Sequence, residues 1–586
     1  MHSTELPAPG DALAAALPGP RPAPWHARLR VPLLVTACAL PLYGLWWAVF
    51  ATGGGDLAAQ VAWAEFARQY PGYAYNLFWY GGLHTANYSL ISPYVMAAVG
   101  VVPMTLLSGL ASSWLAGTLM LHAKVRRPLA PALVLAFCLW CQVVSGRSTF
   151  MLGVALGLAA LVVLIGGRGA PRLAASALCA ALATMASPVA GLFLVVAGAA
   201  HLLTRGWGRA AALLAPPVVV VALTTWLFPF KGEQPMPFGR IWPPLLFCAV
   251  ILLAAPPARR LLRWGTAVYG LGVVLTFFIA SPVGTNVERL TELGAPVALL
   301  VIALDRYGQH ENRYGLGEDR YGLGDAANDQ PGGWFTARRR GALCGLALLL
   351  SLTWLTGKTT ADIVANTKVP AWAVQTDGVV SELERLGAER TRVEVVPARD
   401  HREAAILAPY INMARGWNRQ ADVERGRLFY GGREGTDVPE GSFTSASYRA
   451  WLSYWAVGYV VLPKGAPDGP AKLEHALVRS EPPYLKLLWH DANWQIYGVR
   501  DAVPLVDPPA TVTGSDGANL VVSMPQAGSV TVRIAYSPWL WADTGCLAPS
   551  GEFTRLTVEK PGKVRITSAY RGPSGRKTPR CPAVER

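Results

Sequence analysis

Asp56 follows three consecutive glycines, Gly53-Gly54-Gly55, at the end of the first long apolar run of the chain. A carboxylate at the mouth of an apolar segment is a functional candidate, because it can take a proton from a hydroxyl. Cationic side chains stand at comparable boundaries: Arg147 in Ser145-Gly146-Arg147-Ser148, Arg289 in Gly284-Thr285-Asn286-Val287-Glu288-Arg289, and Lys231 and Arg240 after a further apolar run. Arginine grips phosphate through its planar fork. Residues 52–90 add His84 and a crowd of rings, Trp63, Tyr70, Tyr73, Tyr75, Phe78, Trp79, Tyr80 and Tyr88, able to stack on sugars. One carboxylate, several cations and many rings suit a reaction with an acid–base step and a phosphate leaving group.

Each candidate also has a plain structural reading. Asp56 can cap the helix that follows it. Arg147 can extend toward the membrane interface, and Arg289 can bridge to Glu288 or Glu292. His84 can be a packed polar residue, and the aromatic rings can form an interfacial belt. Convergence of these residues on one face is what favours chemistry.

The elements that must position them are helices in a membrane. Of 586 residues, 52% are hydrophobic and only 15% charged, and the mean hydropathy is +0.30. Soluble domains carry about 25% charge. Apolar runs at 31–51, 91–121, 128–145, 148–166, 173–186, 189–204, 210–228, 241–256, 264–281, 293–305 and 341–357 predict about eleven spans, each about 20 residues where it crosses fully. Pro93, Gly100 and Pro103 predict a break in the second run, and Ser187-Pro188 a tight hairpin between the fifth and sixth. Residues 58–68 read as an amphipathic helix suited to the membrane surface.

The formal net charge is +15, from 52 Lys and Arg against 37 Asp and Glu. Its distribution carries the meaning. Alternate loops, counted from the N-terminus, hold nineteen basic residues, and the opposite loops hold five: Arg68, Arg147, Lys231, Arg240 and Arg289. The positive-inside rule then predicts a cytoplasmic tail over 1–30 and a cytoplasmic loop over 306–340, the latter with a repeated Arg-Tyr-Gly motif in a glycine-dense linker. The excess charge is a topology signal, and nucleic acid is not expected as a partner. The first thirty residues lack a cleavable leader pattern, so the first span is expected to remain as an anchor.

The expected organisation is a transmembrane domain over 31–357 with an outer loop at 52–90, an exported α/β domain over 358–505, and an exported β-sandwich over 506–586. Strands are predicted over 392–397, 458–463, 484–489 and 494–499, and helices over 402–413 and 444–456, the latter capped by Thr444 or Ser445. Alternating segments at 520–524, 529–536, 553–558 and 563–568 predict the sandwich. Cys38, Cys138, Cys141, Cys179, Cys248 and Cys344 lie in apolar spans and read as small core residues. Cys546 and Cys581, the cysteines of the exported part, are expected to pair.

No Walker loop, GxGxxG, HExxH or GxSxG occurs, which argues against an ATP-driven pump, a Rossmann dehydrogenase and a zinc protease. Trp79–Pro93, Gly284–Leu290, Arg415-Gly416-Trp417-Asn418-Arg419-Gln420 with Asp422, Ser447–Leu452 and Tyr459–Pro463 carry a resemblance. With a first span, a long outer loop holding an acid, a polytopic bundle and an exported C-terminal region, the chain resembles the GT-C glycosyltransferases. Within them it is most similar to actinobacterial multi-pass membrane proteins.

The resemblance implies Asp56 as base, a polyprenyl-phosphate sugar as donor, and an envelope glycan or lipid as acceptor at the outer face of the plasma membrane. Arg289 and Arg147 would hold phosphate, with His84, Asn286 and Tyr88 near donor or acceptor. Arg415, Trp417, Arg419 and Gln420 would offer a glycan-contacting surface. No Asp-Asp or Asp-Glu pair marks a metal site, so use of a divalent metal stays open. The competing readings are a transporter or flippase of an envelope precursor, favoured by charge pairs buried mid-span, and a non-catalytic scaffold, favoured if Asp56 is only a cap.

Overall fold

The computed structural model describes residues 25–167, 169–230, 232–313, 337–417, 423–431, 439–570 and 581. Helix α1 (Trp25–Leu45) continues through a π-helical turn, Trp46–Phe50, into the glycine turn. Helix α2 (Asp56–Gln69) follows, then a small ribbon of β1 (Tyr75–Asn76) and β2 (Leu83–His84). The second apolar run breaks as expected: α3 (Ser92–Val99) and α4 (Val101–His122) meet at Gly100, whose φ of +92° suits only glycine. The later runs fold as α5 (Leu129–Val144), α6 (Ser148–Ile165), α7 (Ala170–Ala186), α8 (Pro188–Leu203), α9 (Trp207–Leu227), α10 (Phe238–Ala254), α11 (Arg260–Phe278), α12 (Glu288–Arg313) and α13 (Ala337–Asn366).

Among the described residues, six helices are long and apolar enough to cross a membrane: α1 with its π turn, α4, α6, α9, α11 and α13. Helices α5, α7, α8 and α10 are shorter but apolar. Trp47, Leu107, Leu253 and Phe278 project outward at more than half exposure, a surface that belongs against lipid. The chain is a membrane protein. Small residues bring its helices together. A Cβ on Gly117 would lie 2.7 Å from the Pro32 backbone, and one on Gly153 would lie 2.8 Å from the Cβ atoms of Ala190 and Ser187.

Three expectations need correction. The 306–340 loop is narrower than its polarity indicates, because α12 runs to Arg313 and α13 starts at Ala337. Charged residues end an apolar window without breaking a helix. The repeat from Tyr314 onward lies outside the described residues. For the same reason α13 runs past Gly357 to Asn366. Helix α2, expected on the membrane surface, is instead buried on most sides. Ala64 packs with Met96 and Met104 of the bundle, while Ala59, Ala62 and Trp63 join Trp372, Val379, Leu383 and Val393 beyond it. Its five alanines permit close approach on several faces at once.

Beyond α13, α14 (Asp377–Arg385), β3 (Arg392–Val395), α15 (Arg402–Leu407), α16 (Ser445–Tyr454), β4 (Val457–Pro463), α17 (Lys472–Arg479), β5 (Leu485–His490) and β6 (Trp494–Val499) form an α/β unit. Its sheet order is β3-β4-β6-β5, parallel only between β3 and β4. Thr444 caps α16 through a reciprocal box with Ser447. Helix α15 ends well short of residue 413, since Pro409 removes a donor the next turn needs.

Strands β7 (Thr511–Ser515), β8 (Asn519–Met524), β9 (Gly528–Ala535), β10 (Trp541–Ala542), β11 (Cys546–Ser550), β12 (Phe553–Val558) and β13 (Gly562–Thr567) form two sheets, β10-β13-β8-β7 and β11-β12-β9. Their shared core includes Leu520, Val522, Val532, Ile534, Leu556 and Ile566, with Tyr75, Leu77 and Phe78 of the outer loop packed into it. Cys546 is disulfide-bonded to Cys581, tying the C-terminal segment to β11.

Candidate functional site at the outer loop

The glycine turn sets the position of Asp56. Gly53 and Gly55 have φ of +86° and +64°, and the Gly55 N–H donates to the Asp400 carbonyl at 2.7 Å. Gly54 lies under the Arg402 guanidinium, where a Cβ would come within 2.7 Å of Nη1. Arg402 Nη2 donates to Thr52 Oγ1 at 2.7 Å, to the Thr52 carbonyl at 3.1 Å and to the Asn366 carbonyl at 2.7 Å. The turn is thus clamped between the end of α13 and the segment leading into α15. On its other side, a Cβ on Gly146 would lie 2.8 Å from the Leu57 nitrogen. The Ser145-Gly146-Arg147 turn therefore rests directly on the start of α2.

Asp56 is the first residue of α2, where the helix dipole favours a carboxylate. It is half-buried and, among the described residues, has neither a hydrogen-bond nor an ion-pair partner. Its charge acts on Arg147, Arg289, Tyr88 and Asp362. The structure thus brings Asp56, Arg147, Arg289 and Tyr88 into one region.

Arg289 occupies the second position of α12, with its guanidinium carbon 5.1 Å from the centroid of the Phe150 ring. Among the described residues no carboxylate pairs with it. The bridges expected for it go elsewhere. Glu288 receives Arg240 at 2.6 and 2.7 Å and Lys358 at 2.8 Å. Glu292 receives Arg147 at 2.8 Å, Gln142 at 2.9 Å and a second bond from Lys358. Both glutamates are 1% exposed. Arg147 Nη1 also donates to Gln142 at 2.5 Å, while its Nε is buried without a partner. Asn286 is buried in the turn Gly284–Val287, three residues before Arg289.

Tyr88 packs on Trp63 with ring centroids 4.0 Å apart. Burial pushes its phenol above the ordinary tyrosine range. Beneath it Gln60 of α2 accepts from Thr149 of α6, joining the outer helix to the bundle.

Four residues of this cluster escaped sequence analysis. Asp362 accepts from Ser145 at 2.6 Å, placing a second carboxylate near Asp56. Lys358, Gln142 and Arg402 complete the polar frame. The signal for two of them was Lys358-x-x-x-Asp362, an i,i+4 pair that lies on one face if the last helix continues past Gly357. Among the described residues, no group of three or more His, Cys, Asp or Glu side chains is arranged to hold a metal.

Other candidates lie elsewhere. His84 is a packing residue. Its Nδ1 donates to the Ala74 carbonyl at 3.3 Å, Nε2 accepts from Ser537 at 3.0 Å, and its ring rests against Tyr75 and Phe228. Burial pushes its pKa down to about 4, so it stays neutral where the outer loop meets the sandwich. Arg415 is also not a surface donor. It is buried between Glu394, 3.0 Å from Nε, and Glu474, 2.5 Å from Nη2, and lies 3.6 Å over Phe429. The Trp417 indole is stacked on His401 at 3.5 Å, so one face is covered. Arg419 and Gln420 lie outside the described residues. The segment does abut the outer loop: Tyr80 donates to the Gly416 carbonyl at 2.6 Å.

Residues 507–544, within the sandwich, match a family described as "Domain of unknown function (DUF8823)". No curated protein matches the chain. A solved structure of the arabinofuranosyltransferase AftD from mycobacteria is similar to this chain at a TM-score of 0.43 and 16% identity. The similarity covers 85% of this chain and 41% of that one, so the chain aligns with less than half of that protein's length.

Proposed function

We propose that this protein is a membrane glycosyltransferase that moves a sugar from a polyprenyl-phosphate donor to an envelope glycan or lipid. The observation that carries this reading is the state of two side chains. In a cluster where Glu288, Glu292, Arg147, Arg240 and Lys358 are mutually paired, the side chains of Asp56 and Arg289, alone of the charges named there, have neither ion pair nor hydrogen bond among the described residues. They come from opposite ends of the membrane domain's sequence and sit within reach of each other's charge.

Asp56 takes the proton of the acceptor hydroxyl as that oxygen attacks the anomeric carbon. The bond from that carbon to phosphate breaks, and Arg289 compensates the charge gathering on the departing lipid phosphate. Arg147, held by Glu292 and Gln142, adds positive potential behind it. Trp63 and Tyr88 supply a wall of rings. Polyprenyl phosphate as donor and an envelope acceptor follow from the resemblance to GT-C enzymes.

The buried ion pairs lie at helix ends, in the first turns of α12, just before α6 and late in α13. A transport pathway calls for such pairs in mid-membrane, so their placement supports transfer. In this reading about eleven helices cross, the N-terminus is cytoplasmic, and the α/β unit and sandwich stand outside.

The test is Asp56→Asn in membranes supplied with a radiolabelled polyprenyl-phosphate sugar and an envelope acceptor fraction. The near-isosteric amide removes the base, so transfer is expected to vanish while the melting temperature in detergent holds. Undiminished transfer would exclude the mechanism.

A further inference from the structure

Helices α4 and α6 start beside α2 and end at His122 and Ile165. At about 1.5 Å per residue, the 22 residues of α4 put His122 roughly 33 Å from the outer end. From Leu290 and Thr291 near the outer end down to that far end, α4, α6, α8, α10, α11 and α12 line a cavity of about 840 Å³, within the size range of ligand-binding pockets. Its wall is mostly apolar, with Leu119, Leu158, Phe193, Ile251 and Val297 among the lining residues. Phe193 also meets Phe150 edge-on at 5.9 Å, and Phe150 carries Arg289 on its ring.

The inner end of this cavity is cationic. Lys124, Arg209 and Arg260 line it, and among the described residues none of the three side chains has a hydrogen-bond or ion-pair partner. Arg259 beside them is different, being bonded to Asp305 at 2.5 Å. An apolar hollow ending in three unpaired cations matches a molecule with a hydrocarbon tail and an anionic head. A phosphate oxygen suits the arginine forks, and each cation near a membrane surface contributes about 1 kcal/mol toward an anionic lipid.

We propose that this cavity binds an anionic phospholipid of the leaflet opposite the candidate transfer site. Its acyl chain lies along the α4–α6–α12 wall, and its phosphate sits against Arg209 and Arg260 with Lys124 beside them. The headgroup position is separate from Arg289, because these cations stand at the far end of the bundle, while the apolar wall between them reaches up to Leu290 and Thr291. The position of Gly294 supplies a clean probe. It lines the cavity, and a Cβ there meets no atom within 4 Å, so Gly294→Leu projects into the hollow without displacing backbone.

Native mass spectrometry of the full chain in detergent tests this, with phosphatidylglycerol, phosphatidylcholine of the same acyl chains, and polyprenyl phosphate added separately. Phosphatidylglycerol adducts are expected at the lowest concentration. The Arg209→Gln/Arg260→Gln double variant should weaken them about thirtyfold, two cations' worth at roughly a kilocalorie each, while leaving phosphatidylcholine adducts unchanged. Gly294→Leu should weaken both phospholipids. Equal retention of the two phospholipids, preference for polyprenyl phosphate, or phosphatidylglycerol binding indifferent to both variants would overturn the proposal. The readout involves no transfer, so it stands or falls apart from the role of Asp56.

Discussion

Arg402 and Thr52 stand 350 positions apart in sequence, yet one guanidinium nitrogen of Arg402 donates to both the hydroxyl and the carbonyl of Thr52. The same nitrogen reaches the Asn366 carbonyl, and Nη1 holds Asp400 at 2.5 Å. A single buried side chain thus joins the end of α1, the end of α13 and the α/β unit, and it does so over the glycines that precede Asp56. Lysine, a point donor on a flexible stem, cannot reproduce this fan of bonds.

Arg402→Met should therefore cost about 3 kcal/mol, because it leaves the Asp400 carboxylate buried without its partner. Hydrogen exchange should quicken over residues 52–57 and stay unchanged over 519–567 of the sandwich. Equal exchange across 52–57 in the variant and parent would show that the clamp does not hold the turn.

Arg289 and Glu292 lie one helical turn apart and should behave oppositely. Arg289 has no carboxylate partner among the described residues, so Arg289→Gln should leave thermal stability nearly unchanged while lowering kcat/KM for transfer by about 10²–10³-fold, the range for losing one donor to developing charge. Glu292→Gln instead breaks its bridges to Arg147 and Lys358 and leaves those cations partly uncompensated. It should destabilise the fold by about 3–5 kcal/mol. Melting curves and transfer assays on the two variants separate the roles.

His84 predicts a pH dependence of stability. Its pKa falls from 6.5 in the unfolded chain to about 4 in the fold, chiefly through burial. Between those values the unfolded state binds the extra proton, so stability rises with pH there and is lost as pH falls from about 6.5 toward 4. The shift corresponds to at most about 3 kcal/mol. Acid unfolding followed by tryptophan fluorescence should show this slope, and His84→Gln should flatten it.

Much of this protein was legible in one dimension because burial in lipid or a core leaves a periodic trace. Apolar runs located the helices from α4 to α11 within a few residues, since every residue of a membrane helix meets lipid or a neighbour. The Pro and Gly positions foretold the break between α3 and α4, and two-residue alternation foretold β8, β9, β12 and β13. The candidates Asp56, Arg147, Arg289 and Tyr88 stand out by residue type at a membrane boundary, and folding brings them into one region. What the sequence could not show is which charges spend themselves on each other. Arg415 and Arg289 look alike as letters, yet one is locked between Glu394 and Glu474 while the other has no carboxylate partner among the described residues. His84 likewise becomes packing because Ser537, 453 positions away, arrives at its Nε2. Pairing is a property of distance in space, and distances between remote segments exist only once loops close and helices dock. For that reason the residue types pointed to acid–base and phosphate chemistry, and only the tertiary structure decided which carboxylate and which arginine stay unpaired among the described residues.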